Sequence, residues 1–504
     1  MSLHASLSES FLQPQKQQAA GQMPVLVVSN RGPVTFSGDK NGIVEPQRGS
    51  GGLVTALTGL ARQSNLTWLS CAQTEADIRP DISKTISLEN GSNIKVEFIS
   101  PNQNAYEGYY HVIANPLLWF LQHSMWNTPI APVIDRTTWH AWKEGYMAVN
   151  RVFAEKMAQL LPDSGKLPLI MFQDYHLYLA PRYLRQLCPN SPLTMLHFIH
   201  IPWPGPEEWG FLPPVMREAI LDGLCAVDLL GFQTREDGLN FIRTCESYLP
   251  TADVQYKNGI VTFHNHDVHV RDFPISIDVD DLKMKANSLE VADMHDEILN
   301  SLQDRKLIVR IDRIEPSKNI VRGFQAFADM LEYHPEHRGK VVFLALLVPS
   351  RLGVDEYKEY LDAIMAAAGR VNAQYGDHDW EPVRLLIGEN YERAIAALQL
   401  YDVLLVNSIA DGMNLVAKEG PIVNQKDGVL VLSDRAGARQ QLELGAMVIS
   451  PCDIYATAEA LHQGLIMNME TRQIRAARLR WLIEKEDINA WLNAQLETVE
   501  ELDL

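Results

Sequence analysis

Ten runs of five to eight mostly aliphatic and β-branched residues punctuate this chain, at 24–30, 168–173, 193–199, 228–232, 259–263, 306–311, 341–348, 383–387, 402–407 and 428–433. They are too short to be helices and too continuously apolar for a sheet with one wet face, so they read as buried strands. Between several of them lie stretches of helical period, such as the one from about Val321 to Tyr333. Strand alternating with helix predicts an α/β architecture with parallel, doubly wound sheets. Ligands of such sheets sit beyond the carboxyl ends of the strands, so the residues just after each run carry the functional information.

A chain of 504 residues is long for one core and predicts more than one domain. Residues 1–22 are polar, Gln-rich and aperiodic, and read as a flexible tail. The stretch 272–281 (DFPISIDVDD) has the Pro and charge content of a connection. The division is therefore 23–275 and 276–504, with the last helix placed to pack back on the first half. Asp278 with Asp280, and Asp377 with Asp379, form Asp-x-Asp triplets that read as solvated turns, and no metal is expected at them.

Composition narrows the function. A formal charge of −19 argues against broad nucleic-acid binding, because phosphate backbones are held by excess Lys and Arg. No apolar run approaches membrane-spanning length, and the N-terminus lacks a basic region followed by an apolar one. The expectation is a soluble cytoplasmic protein. Five scattered cysteines, none in a CxxC spacing, read as reduced thiols.

Residues 402–407 (DVLLVN) lead through a short turn to Asp411, and helix formers begin at Gly412, with Met413, Leu415, Val416 and Ala417 apolar. This spacing makes Asp411 an N-cap for a helix starting at Gly412. The first amides of that helix would then form an anion site. Glu419, two turns further in, could accept hydrogen bonds from a vicinal diol such as a ribose. An ordinary capped helix with a solvated Glu fits the same residues. Arg313 and Lys318 stand five apart across another strand-to-helix turn, a fork and a point charge suited to a pyrophosphate held without a divalent metal. Taken singly, each also suits a surface ion pair.

Other strand ends carry polar clusters: Arg31 after the first run, Asp174-Tyr175-His176 after the second, and His200-Ile201-Pro202-Trp203-Pro204 after the third. A glycine loop at 49–52 (GSGG) precedes a helical pattern at Leu53, Ala56, Leu57 and Leu60. It could approach a phosphate or form a plain tight turn. Residues 102–123 and their neighbours are rich in Tyr and Trp, which serve cores first and sugar platforms second.

Seven motifs in order carry a resemblance: SNR with GSGGL, GYY followed by NPLLW, DYHL, HIPWP, RIDRIEPSK, PSRLGVDEY and DGMNLVAKE. From about Val25 to Leu496 the chain resembles the trehalose-6-phosphate synthases, retaining glycosyltransferases grouped with glucosylglycerol-phosphate synthases and pseudo-glycosyltransferases. The resemblance implies two Rossmann-like domains facing across a cleft (GT-B type), an acceptor domain followed by a nucleotide-sugar donor domain, no cofactor, and a homo-dimer or homo-tetramer.

It implies that Arg313 and Lys318 hold the donor pyrophosphate and Glu419 the ribose. Asp411 with the backbone of Gly412, Met413, Asn414, Leu415 and Val416 would take the transferred glucose and diphosphate, Gly52 would lie against the donor, and His200 near the sugar. Arg31, Tyr110, Trp119 and Arg351 would bind glucose 6-phosphate, with Asp174 on its hydroxyls. The implied catalytic set is Asp174, His200, Arg313, Lys318 and Asp411, working by front-face transfer in which a leaving phosphate oxygen accepts the acceptor's proton.

Three departures stand out: Gln173 where His is common, Trp203 where Phe is frequent, and Gly420-Pro421 after Glu419. The expected reaction moves glucose from UDP-, GDP- or ADP-glucose to glucose 6-phosphate. The alternatives are another phosphorylated acceptor, such as glycerol 3-phosphate or a cyclitol phosphate, and a non-catalytic sugar-phosphate-binding subunit.

Overall fold

The computed structural model describes residues 24–38, 44–48, 57, 65–79, 84–87, 93–162, 166–351 and 353–502. The tail over 1–22, the glycine loop with Gly52, and Leu53, Ala56 and Leu60 lie outside them; Leu57 is described and buried.

The apolar runs become strands to within a residue or two at their ends. Among the described residues, seven strands run parallel in a first sheet: β1 (Pro24–Val28), β2 (Asn65–Cys71), β3 (Asn93–Ile99), β4 (Leu169–Gln173), β5 (Met195–Phe198), β6 (Leu229–Phe232) and β7 (His266–Asp272). Their order across the sheet is β7-β6-β5-β4-β1-β2-β3. Antiparallel strands flank both edges, and Ile260–Phe263 is one of them, a hairpin partner of β7. Strands β2, β3 and β7 were not among the ten runs. In β3 the polar Asn93, Lys95 and Glu97 alternate with apolar residues, so its signal is weaker than that of a strand buried on both faces.

Because β1 leads toward β2 and β3 while β4 leads the other way, the winding reverses between β1 and β4. Side chains beyond those two carboxyl ends face a crevice by topology alone.

The second sheet repeats the device. It holds β8 (Lys306–Arg313), β9 (Val341–Val348), β10 (Val383–Ile387), β11 (Val403–Val406), β12 (Val429–Ser433) and β13 (Met447–Ile449), all parallel, in the order β10-β9-β8-β11-β12-β13. Its switch point lies between β8 and β11. The central strands are buried on both faces, as their unbroken aliphatic runs require.

The helices around the second sheet include α1 (Ile320–Tyr333), α2 (Val416–Val423), α3 (Ile454–Ile466) and α4 (Ile488–Glu501). The chain crosses between sheets after Asp272. One carboxylate of the connection, Asp278, caps the next helix by accepting from the Asp281 amide at 2.9 Å, and Asp377 accepts from the Asp379 amide within a turn. The last helix, α4, reaches the first sheet, with Trp491 edge-on to Phe198 at 5.3 Å between ring centroids. Most of the aromatic stretch is core, with Tyr109, Trp119, Phe120 and Trp142 buried. Among the described residues no helix is long and apolar enough to cross a membrane.

Candidate active site

β8 ends in Arg313, and the chain turns through Glu315 to Lys318 before α1 begins. Arg310, fully buried three residues back along the strand, donates to Asp312 Oδ2 at 2.7 Å and to the Lys318 carbonyl at 2.9 Å, which fixes the turn from beneath. Asn319, with φ +59°, donates to the carbonyls of Asn407 and Pro451 and so ties this turn to the end of β11. The Lys318 ammonium then meets the Asp411 carboxylate at 2.5 Å. Ser408 Oγ and Asn414 Nδ2 donate to the same Asp411 oxygen at 3.1 and 3.0 Å. Burial raises the Asp411 pKa, but Lys318 and these donors outweigh it and hold the carboxyl below its ordinary value.

The helix after β11 differs from the sequence expectation. It starts at Val416, not Gly412, and Asp411 does not cap it: Asn414 Oδ1 accepts from the Ala417 amide at 3.2 Å. Asp411 is drawn away by a full positive charge, a stronger partner than a neutral amide. Residues 411–414 are instead pinned from the side, the Asp411 carbonyl by the Gly437 amide at 3.0 Å and the Met413 carbonyl by the Ala438 amide at 3.0 Å. With the later start, Glu419 falls in the first turn of α2 and not two turns in. Its carboxylate has no hydrogen-bonding partner among the described residues, and burial pushes its pKa up to about 7 against a modest opposing pull from Lys285. Met413 is core, so only its backbone can serve a ligand; Leu415 and Val416 are half-buried.

On the facing lobe, Asp174 follows β4 with φ +69° and ψ 179°, a conformation that non-glycine residues seldom hold unless their surroundings impose it. Its carboxylate accepts from the His200 amide at 3.3 Å, and burial lifts its pKa to about 6. His200 Nε2 is bound to Gln173 Oε1 at 2.9 Å, so the departure at position 173 orients this imidazole. Burial keeps His200 neutral, with a pKa of about 3. Beside them Tyr110 stacks on His176 with centroids 5.8 Å apart, and His176 is held down to about 3, first by burial and then by the charges of Arg351 and Arg31. Arg31 is exposed just past the end of β1.

Arg351 belongs by chain order to the second lobe, yet its guanidinium lies in the aromatic wall of the first. It donates to Tyr175 Oη at 3.1 Å and to Tyr357 Oη at 2.5 Å, and sits over the Trp119 ring at 5.1 Å. Trp119 is buried beneath it, so this ring supports the arginine. Arg351 also contacts Glu315 Oε1 at 3.4 Å, and Arg313 approaches the same oxygen at 3.3 Å. Glu315 is 1% exposed; burial alone would raise its pKa, but Arg313, Arg351 and Lys318 bring it to about 2. One buried anion thus spaces the two arginines.

Glu315, Arg310 and His123, which stacks on Trp119 at 3.9 Å, were not singled out from the sequence. The first two lie inside RIDRIEPSK, where their charge was the available signal; nothing local marked His123.

The lobes touch at Gly412. A Cβ there would fall 1.9 Å from the His200 carbonyl oxygen, so any side chain would force them apart. A cavity of about 450 Å³ opens alongside, lined by Trp203, Thr234 and Asp237 from one lobe and Asp411, Arg435 and Gly437 from the other. The arrangement therefore brings together Arg313, Lys318, Asp411, Gly412 and Asn414 on one wall, and Asp174, His200, Tyr110, Trp119 and Arg351 on the other.

The profile of glycosyltransferase family 20 matches residues 24–501. The chain belongs to this family. A UDP-forming α,α-trehalose-phosphate synthase of Schizosaccharomyces pombe is 33% identical over 479 residues, 94% of this chain and 90% of the relative. Among solved structures, an E. coli protein described as trehalose-6-phosphate bound with UDP-2-fluoro glucose superposes with a TM-score of 0.81 at 28% identity, covering 94% of this chain and 98% of that one. A UDP-forming α,α-trehalose-phosphate synthase of Burkholderia xenovorans in complex with glucose-6-phosphate gives 0.80 at 27% identity, covering 95% and 100%. The family 20 chain has the GT-B fold, two Rossmann-like sheets set across a cleft.

Proposed function

We propose that this family 20 chain is a retaining glucosyltransferase that moves glucose from UDP-glucose to glucose 6-phosphate, yielding α,α-trehalose 6-phosphate and UDP. The observation that carries the reading is the pair of arginines, Arg313 and Arg351, that converge on one oxygen of a single buried carboxylate, Glu315, at the cleft. In this reading each serves a different phosphate, the exposed Arg313 that of the donor and the tethered Arg351 that of the acceptor. The UDP-forming names of the relatives favour uridine among the candidate bases.

In this reading residues 23–275 form the acceptor domain and 276–504 the donor domain. Arg313 and Lys318 take the charge that gathers on the pyrophosphate as the bond from glucose C1 to the phosphate oxygen breaks, which is where preorganised cations lower a barrier most. The bonding pair leaves with UDP. The anomeric hydroxyl oxygen of glucose 6-phosphate bonds to C1 on the same face, and its proton passes to the leaving phosphate oxygen.

Asp411 anchors Lys318, and the amides near Gly412 to Leu415 face the transferred glucose. Glu419 accepts from the ribose hydroxyls. Arg31 and Arg351 hold the acceptor phosphate, with Tyr110 and Asp174 on its sugar. Gly412, seated on His200, sets how closely the domains approach and so excludes water that would hydrolyse the donor. A cytoplasmic location belongs to the same proposal, since the described cysteines are all unpaired, as in a reducing compartment.

The test is a matrix of UDP-, GDP- and ADP-glucose against glucose 6-phosphate, glycerol 3-phosphate and a cyclitol phosphate, reading nucleotide release and sugar product together. Trehalose 6-phosphate from UDP-glucose is the expected product. Release of UDP only with a different acceptor, or ligand binding with no product in any pairing, overturns the assignment.

A further inference from the structure

At the end of α1 distant from the cradle, three imidazoles and two carboxylates gather that the proposed reaction does not use. His334 ends α1, Glu336 and His337 lie in the turn Pro335–His337, and Glu459 and His462 come from α3, three residues apart and so on one helix face. His334 Nε2 is bound to Glu459 Oε1 at 2.7 Å, which places its proton on that nitrogen and leaves the Nδ1 lone pair free. Nδ1 lies 3.7 Å from Glu336 Oε1, and His462 Nδ1 lies 3.9 Å from the same oxygen. The donor atoms of His334, Glu336 and His462 all fall within 4.8 Å of one another. His337 Nε2 stands 2.9 Å from His462 Nδ1 as a fourth nitrogen.

We propose that His334, Glu336 and His462 form a structural site for a divalent transition metal of the Zn²⁺ class, with His337 completing or buttressing it and Glu459 orienting His334. Two imidazoles and one carboxylate are a donor set that suits zinc. A carboxylate gripping the far nitrogen of a ligating histidine is the usual outer support of such a site. Tetrahedral zinc with bonds near 2.0–2.1 Å sets its ligand atoms roughly 3.3 Å apart, so the two contacts to Glu336 need contraction by only a few tenths of an ångström. The rings of His334 and His462 lie parallel, centroids 3.6 Å apart, and one must turn about its Cβ–Cγ bond for both lone pairs to meet the ion.

The consequence is mechanical. α1 starts at the phosphate turn, and α3 starts just past Pro451, whose carbonyl Asn319 holds. At 1.5 Å per residue the site lies roughly 20 Å from that turn, so the ion staples the two helices behind the cradle and takes no part in transfer.

The test loads chelator-stripped full-length protein with Zn²⁺ alone, measures bound metal by elemental analysis after dialysis, and follows Tm with Zn²⁺ and with EDTA. One equivalent per chain and a higher Tm in Zn²⁺ are expected. Glu336→Gln, at an exposed position where folding is not at stake, and His462→Ala should each lose that equivalent and the Tm rise. Glu459→Gln should weaken binding by about 10- to 100-fold. No bound zinc, or equal binding by wild type and Glu336→Gln, overturns the proposal, because the metal would then be absent or held elsewhere.

Discussion

The two walls of the cleft are built at equivalent places, each at the point where a doubly wound sheet reverses, yet from different materials. Past β8 and β11 the side chains are ionic and paired: Lys318 with Asp411, and Arg313 with Glu315. On the facing wall aromatic and neutral groups predominate, with Tyr110 stacked on His176, Tyr175 bonded to Asn115 and His200 kept uncharged by burial, and Arg31 and Asp174 as its own charged groups. An ionic wall suits a group whose charge grows during reaction, and an aromatic wall suits a sugar whose charge does not change. The aromatic wall receives its buried cation from across the cleft, through Arg351. In the proposed reaction, binding of the acceptor phosphate would thereby depend on both lobes.

The most direct way to break this contrast is Arg313→Ala. Its side chain is 55% exposed, so the fold should survive with an unchanged Tm while turnover falls by about 10²- to 10³-fold. Lys318→Ala should match that loss and also lower Tm, because it strands the Asp411 carboxylate without its cation. A normal rate in either variant would remove the ionic wall from the chemistry.

Gly412→Ala should cost about 10²-fold in kcat, since its methyl group meets the His200 carbonyl and holds the walls apart by the order of an ångström. Small-angle scattering with both substrates should show a cleft that fails to close; full closure would deny that this contact sets the approach. Arg351→Ala should raise KM for glucose 6-phosphate by about 10- to 100-fold through loss of a charged hydrogen bond, leaving donor KM nearly unchanged. An equal rise in both would place Arg351 with the ionic wall after all.

The smallest effect is in pH. Glu419 titrates at about 7, so its carboxylate is ionised above that value and takes up a proton below it. A protonated carboxyl accepts hydrogen bonds from the ribose less well, and donor KM should therefore rise severalfold as pH falls from about 8 to about 6, a trend that Glu419→Gln should flatten. Asp174 titrates lower, at about 6, so acceptor KM should begin to climb only at more acid pH. Parallel profiles for the two substrates would blur the distinction between the walls.

How legible each wall was depends on its material. The ionic wall is encoded in contiguous stretches, RIDRIEPSK and DGMNLVAKE, because a strand end and the turn after it supply most of its groups, and Arg313, Lys318, Asp411, Gly412 and Asn414 could be named from sequence alone. The one local error, Asp411 as a helix cap, arose because a cap is a short-range inference and the cation that captures Asp411 is 93 residues away. The aromatic wall draws on segments scattered from Arg31 to Tyr357, and aromatic residues in sequence look alike whether they line a core or a cleft. His123 under Trp119 was invisible for that reason, whereas Glu315 stood inside RIDRIEPSK and only its tertiary contact with Arg351 was hidden.

By itself the sequence determined the α/β class, the positions of most strands and the identity of the charged groups at their ends, since buried parallel strands need continuous apolar runs and the turns after them expose polar residues. Only the tertiary structure decided which ends meet. It delivered Arg351 to the opposite wall, pressed Gly412 onto His200 and set His334 beside His462, because these contacts depend on how two sheets and their helices stack, and no local pattern of residues records that distance.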